Sequence, residues 1–189
     1  MQLILFIALL IFLLGLAISV AVYTIENFWR AIITQDAPFV PVPKKIIPHI
    51  VRALRLNKGD VMYDLGCGDA RILTACYTDQ PYASYKGMDV AFVPRVLAWL
   101  RLRKIKGRHS ISIYKSNFFE RDISDATHIF VFLLPSVMDN LLQKFQKECK
   151  PGTRVVSCDF PFKKKEPLEI IDLHRSARVL GRYLYIYEF

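Results

Sequence analysis

No lysine, arginine or proline occurs before Arg30, and residues 3–22 carry no charge of either sign. A helix needs about 20 uninterrupted apolar residues to cross the hydrocarbon of a bilayer, so this stretch reads as one membrane-spanning helix. A cleaved secretory signal has a positively charged start and about 7–15 apolar residues. Here the positive start is missing and the run is too long, which argues for an uncleaved anchor even though Ser19-Val20-Ala21 has the small-residue form of a cleavage site. Tyr23, Phe28, Trp29 and Arg30 follow, the amphipathic types that settle at headgroup level. With Arg30, Lys44 and Lys45 behind the helix and nothing basic before it, the positive-inside bias points to a single-pass membrane protein whose C-terminal domain faces the cytoplasm.

Cysteine pairs are missing too. Cys67, Cys76, Cys149 and Cys158 form no CxxC and show no metal-ligand spacing with histidine, so a disulfide framework and a structural zinc are set aside. Their apolar neighbours suggest buried thiols in a reducing compartment, and no metal is expected. Acidic residues are the minority, 17 against 26 lysines and arginines, for a net charge of +9. Arg95, Arg101, Arg103, Lys104, Lys106 and Arg108 crowd one segment. Such a face is either a solvated helix surface or a contact for polyanions, and beside an anchor anionic lipid suits it better than nucleic acid.

A chain of 189 residues leaves room for one globular domain behind the anchor. Prolines at 38, 41 and 43 favour an extended linker. The expected division is an anchor and interface segment over 1–30, a Pro-rich linker over 31–45 and a catalytic domain over 46–189. Ile46, Ile50 and Leu54 recur at helical spacing, with Pro48 tolerable in the first turn and an end near residues 57–59. Short apolar runs at 61–65, 84–88, 111–114, 129–133 and 154–158 then alternate with helical patterns at 71–77, 93–104 and 137–149. That rhythm predicts a Rossmann-like α/β sheet with parallel strands and crossover helices. Two strand-like runs, 169–173 and 183–188, have no useful helix between them and suggest an antiparallel C-terminal edge.

The sharpest chemical signal is Asp64-Leu65-Gly66-Cys67-Gly68-Asp69-Ala70, which leaves a strand, turns on two glycines and opens a helix. Glycine lets backbone approach a ligand, and a helix N-terminus offers unpaired N–H groups to an anion. A dinucleotide-binding loop would carry a third glycine or alanine where this chain has Arg71. Acids on both sides of the glycines instead suit a ligand with cationic groups as well as a carboxylate, as S-adenosylmethionine is. Asp89, with Val90, follows the second strand at the offset where a carboxylate accepts bonds from ribose hydroxyls. Asn117 and Phe118 follow the third, where an amide can meet an adenine edge and a ring its face. After the fourth comes Leu134-Pro135-Ser136, which lacks the Asp or Asn followed by two prolines and an aromatic seen in nucleobase amine methylases. There is no Pro-Cys pair for covalent cytosine chemistry either.

With Asp64-Leu65-Gly66-Cys67-Gly68, Asp89 and Asn117 in that order, the chain resembles the class I, seven-strand S-adenosylmethionine-dependent methyltransferases over residues 61–189. A narrower resemblance runs through the apolar helix, Ala37-Pro38-Phe39-Val40-Pro41-Val42-Pro43, Asp69-Ala70-Arg71-Ile72 and Asp159-Phe160-Pro161-Phe162. It is similar to the lysine methyltransferases of ATP synthase c-subunit and adenine nucleotide translocase. That resemblance implies a lysine on a membrane protein as acceptor. It also implies Phe39, Pro41 and Phe160 along the channel, and Pro135 and Asp159 beside the transferred methyl. Two alternatives remain open at this point: a small lipophilic acceptor such as a quinone or lipid, and a membrane module that binds S-adenosylmethionine without turnover.

Overall fold

The computed structural model describes residues 2–29, 39–105, 108–174, 176 and 179–189. Arg30, the linker residues Ala37 and Pro38, and Lys106 lie outside them, as do the side chains of Phe28, Trp29 and Arg108. The chain divides into two compact units, 1–39 and 40–189. The first is helix α1 (Gln2–Trp29). Its Gln2–Ile25 portion has no residue buried and is long and apolar enough to cross a membrane. Phe39 closes this unit.

The second unit is built on a seven-stranded sheet of β1 (Val61–Leu65), β2 (Ser84–Met88), β3 (Ile111–Tyr114), β4 (His128–Val131), β5 (Arg154–Cys158), β6 (Glu169–Asp172) and β7 (Tyr183–Glu188). Their spatial order is β3-β2-β1-β4-β5-β7-β6. The first five are parallel, joined through α3 (Arg71–Asp79), α4 (Phe92–Leu102) and α5 (Pro135–Glu148). β7 then enters antiparallel beside β5, with β6 outside it, so the expected antiparallel edge is present. β4 is buried at every position and β1 at all but its first, the pattern of parallel strands covered on both faces.

Helix α2 (Ile47–Leu54) covers one face and packs on α3, β4, β5 and β7. Ile46, Ile50 and Leu54 are its buried stripe, none more than 1% exposed. The helix stops three residues before the turn expected at 57–59, because Arg55 enters the left-handed region at φ 54°. Asp60 then closes that turn, its carboxylate accepting the Asn57 N–H at 2.6 Å. Val42, read from the sequence as linker, is buried at 6% exposure, and its carbonyl accepts the Arg71 guanidinium at 2.7 Å.

Gly87 sits in β2 where the Gly-rich loop, α3 and β3 converge. A Cβ there would come within 2.6 Å of Leu73, 2.7 Å of Ile113 and 2.8 Å of the Cys67 sulfur. All three side chains belong to or pack against the core, so the space cannot be opened cheaply. Gly87→Ala should therefore destabilise the domain by about 1–3 kcal/mol through overpacking. Thermal unfolding followed by circular dichroism checks this, and an unchanged melting temperature would contradict it.

Candidate active site

Four adjacent strands, β3, β2, β1 and β4, end level with one another, Leu65 paired with both Met88 and Val131, and Met88 with Tyr114. The loops that follow them therefore meet at one rim. Strand order reverses between β1 and β4, and a crevice opens at such a reversal, outside the carboxyl ends of the strands. The Asp64 motif lies at that place.

Gly66 and Gly68 take φ of 79° and 54°, values that favour residues without a Cβ. A Cβ on Gly66 would also stand 2.9 Å from the Leu133 side chain, so the β1 and β4 loops touch only because the glycine is bare. The N–H groups of Gly66 and Cys67 both donate to the Met88 carbonyl, at 2.9 and 3.0 Å. Gly68 N–H donates to Asp89 Oδ2 at 2.9 Å and Ala91 N–H to Asp89 Oδ1 at 2.8 Å. Asp89 thus ties the glycine turn to the end of β2. The Arg95 guanidinium closes the same loop by donating to the Val90 and Ala91 carbonyls at 2.6 and 2.9 Å.

Three acidic side chains share this neighbourhood, and they are compensated differently. Asp69 is taken up by arginines: Arg71 Nε reaches Oδ1 at 2.8 Å, and the Arg71 and Arg101 Nη2 atoms reach Oδ2 at 2.7 and 2.5 Å. Burial alone would push its pKa up, but the Arg71 hydrogen bonds and the Arg101 and Arg71 charges outweigh that and hold it below the ordinary aspartate value. Asp64 has no such relief. It is 2% exposed, and its Oδ2 meets no hydrogen-bond partner among the described residues. Burial, followed by the charges of Asp89 and Asp69, pushes its pKa well up.

Asn117 opens a turn, accepting the Phe119 N–H on its side-chain oxygen at 3.0 Å. Phe118 and Phe119 lie against each other with ring centroids 4.7 Å apart. Across the rim, Pro135 is exposed as the first residue of α5. Phe160 stacks on Phe132, 6.4 Å between centroids and 12° between planes. Asp159 adopts a left-handed φ of 64°, and its carboxylate accepts three backbone N–H groups, from Gly181 at 2.5 Å, Arg182 at 2.7 Å and Tyr183 at 3.2 Å. Those bonds pin the start of β7. Pro41 is exposed, and Phe162 is buried among Phe145, Tyr187 and Phe189.

The arginine pair on Asp69, the Phe132 ring and the Leu133 cover over Gly66 were not foreseen. Arg71 carried a local signal, two residues behind Asp69, whereas Arg101 is thirty-two residues away and only folding brings it there.

Residues 64–169 match the family described as the ANTKMT methyltransferase domain. The chain belongs to this family. It is 37% identical over 151 residues to a protein-lysine N-methyltransferase of Saccharolobus islandicus, which covers 79% of this chain and 92% of that relative. It is 30% identical over 132 residues to the lysine N-methyltransferase of the mouse ATP synthase c-subunit, but spans only 51% of that protein's length. Among solved structures, an RNA methyltransferase of Salinibacter ruber in complex with S-adenosyl-L-homocysteine superposes with a TM-score of 0.72 at 29% identity, covering 79% of this chain and 93% of that one. This member of the family is an S-adenosylmethionine-dependent methyltransferase of class I fold.

Its residues fit that cofactor. A buried carboxylate with an unmet oxygen, Asp64, suits the ammonium and sulfonium charges, and a backbone cradle open only to glycine suits close approach. Without a cofactor, Asp64 makes the fold pH-dependent. The folded protein binds this proton more tightly than the unfolded chain, whose aspartates titrate near about 3.9. The resulting stabilisation is full below that value and is lost as pH rises towards the raised folded-state value. Asp64→Asn should remove this slope, raise the cofactor-free melting temperature at neutral pH and weaken the stabilisation given by S-adenosylhomocysteine. Melting scans across pH, with and without that ligand, test all three. A variant that melts lower at neutral pH and still responds fully to ligand would show that Asp64 is not the compensated group.

Proposed function

We propose that this protein is a membrane-tethered protein-lysine N-methyltransferase acting on a lysine close to the bilayer. The observation that carries the reading is the 37% identity spread over 92% of a protein-lysine N-methyltransferase, joined to an apolar helix without charge over residues 3–22. In this reading 1–30 is anchor, the segment behind it is a linker that gives way to the catalytic domain by the buried Val42, and the domain faces the cytoplasm.

Bound S-adenosylmethionine supplies an electrophilic methyl carbon attached to a sulfonium. Asp64, with its unmet oxygen, would hold the cationic amino-acid end, the bare Gly66–Gly68 turn would let that end come close, Asp89 and Val90 would hold its ribose, and Asn117 with Phe118 its adenine. Asp69 serves through its arginines, which brace the turn from behind. A lysine acceptor has to be neutral to attack, while its free pKa is about 10.4. Desolvation against the Phe132–Phe160 stack and Pro135 lowers that value and orients the amine, and Asp159 acts by fixing the β5–β7 corner on which Phe160 stands. Phe39 and Pro41 belong to the chain's approach to the same channel.

Asp89→Ala should weaken cofactor binding about tenfold or more, since a charge-assisted hydrogen bond contributes about 1.5–3 kcal/mol. Titration calorimetry with S-adenosylhomocysteine measures it. Incubating the full chain with labelled S-adenosylmethionine and membranes should label protein, with methyl-lysine at one or a few juxtamembrane sites by mass spectrometry. Deleting residues 1–30 should leave cofactor binding unchanged and sharply reduce that labelling, because the tether raises the effective concentration of membrane acceptors. Label confined to lipid, RNA or soluble protein would overturn the assignment.

A further inference from the structure

Helix α4 is apolar on two sides. Pro94, Ala98 and Leu102 are its buried side. At about 100° per residue, Phe92, Val96, Trp99 and Arg103 fall in one stripe on the other side, with Leu100 on its flank. These apolar residues are well exposed, Phe92 at 61% and Trp99 at 53%, with Val96, Leu97 and Leu100 around them. A helix that is apolar all round is ordinarily buried, and an exposed apolar patch of this kind marks a contact surface.

The charges of the segment that carries the patch are of one sign. Residues 90–119 contain Arg95, Arg101, Arg103, Lys104, Lys106, Arg108 and Lys115 and not one Asp or Glu. Arg101 is turned inward to Asp69, and Arg95 to loop carbonyls. Arg103 and Lys104 stay exposed, and the Arg103 guanidinium lies over the Trp99 ring at 4.5 Å. Tryptophan, aliphatic side chains and a stacked arginine on one face, in a segment without an acid of its own, match the interface of an anionic bilayer, where rings sit among headgroups and cations meet phosphates. Bare nucleic acid would answer the charges but leave Val96 and Leu100 in contact with nothing apolar.

We propose that α4 is an in-plane membrane-docking helix, its Phe92-Val96-Trp99-Leu100 face seated in the headgroup region of an anionic bilayer and Arg103 and Lys104 on lipid phosphates. This rests on the anchor reading of α1, since residues 26–39, extending at most ~3.5 Å each, keep the domain within about 50 Å of the membrane. The consequence for catalysis is orientation. α4 is about 16 Å long and starts three residues after Asp89, so docking it sets the cofactor rim next to the lipid surface, where a juxtamembrane lysine arrives.

The chain has two tryptophans, so Trp29→Phe leaves Trp99 as the reporter. This full-length variant is reconstituted into vesicles of phosphatidylcholine, or of equal parts phosphatidylcholine and phosphatidylglycerol, each with and without brominated acyl chains. Flotation of the vesicles reports the anchor, and bromine quenching of Trp99 reports α4. The expected result is flotation with both lipids, a blue-shifted Trp99 quenched about twofold or more in the anionic vesicles, and less quenching without phosphatidylglycerol or in molar salt, where the Debye length falls to about 3 Å. Val96→Asp in the same background should abolish the quenching while flotation, circular dichroism and S-adenosylhomocysteine binding stay as they are. A chain that does not float overturns both readings. A chain that floats with Trp99 unquenched, or quenched equally with Val96→Asp, overturns the docking helix alone. So does a Trp99 that is shielded only when a second copy crosslinks to it, or only when RNA or an acceptor protein is added.

Discussion

Placing carboxylates at the buried end of a parallel strand is the constraint on which the rest of this site depends. Asp64, Asp69 and Asp89 repel one another where water is excluded, and each answers that cost in its own way. Asp69 takes two arginines and becomes a strut. Asp89 accepts the N–H groups of Gly68 and Ala91 and becomes the tie between two loops. Asp64 keeps an oxygen without a partner among the described residues, an unmet cost that a cationic ligand there would relieve. Stability given up at a buried, unpaired carboxylate is a common arrangement at functional sites.

The opposite half of the rim is apolar and is built by the other side of the sheet. β4 stops at Val131, which frees Phe132 and Leu133 to face the loops: Leu133 closes over Gly66 and Phe132 stacks on Phe160. Asp159 makes the second strut, holding the corner from which Phe160 projects by accepting three N–H groups of the β7 approach. Charge is thus concentrated around the Gly66–Gly68 turn and aromatic surface around Phe132 and Phe160. Cys67, Cys76 and Cys149 are poor sources of thiolate. Burial pushes the Cys67 and Cys76 thiols up, and that of Cys149 up to about 12.

How much could be read beforehand depends on the range of the interactions involved. The five parallel strands, the glycine turn and the antiparallel edge follow from local alternation and from glycine positions, and β1, β2, β3 and β5 begin and end where the pattern puts them. Helix ends were less legible. α2 stops at Arg55 and α5 starts at Pro135, both set by backbone conformation at a single residue. The basic run between Arg95 and Arg108 is uniform as text, yet folding sends Arg95 and Arg101 inward to the site and leaves Arg103 and Lys104 outside.

By itself the sequence determined a bilayer-length apolar helix, an α/β domain behind it and a glycine turn between two acids at the end of the first strand, because hydrophobic periodicity, glycine conformation and the order of acids along the chain are properties of neighbouring residues. Only the tertiary structure decided which acid remains uncompensated, which arginines are spent inside and which apolar face of α4 looks outward. Those outcomes depend on contacts between residues such as Asp69 and Arg101, thirty-two positions apart, or Asp159 and Arg182, twenty-three apart. No local pattern records which of several chemically similar partners the packed sheet will bring within reach.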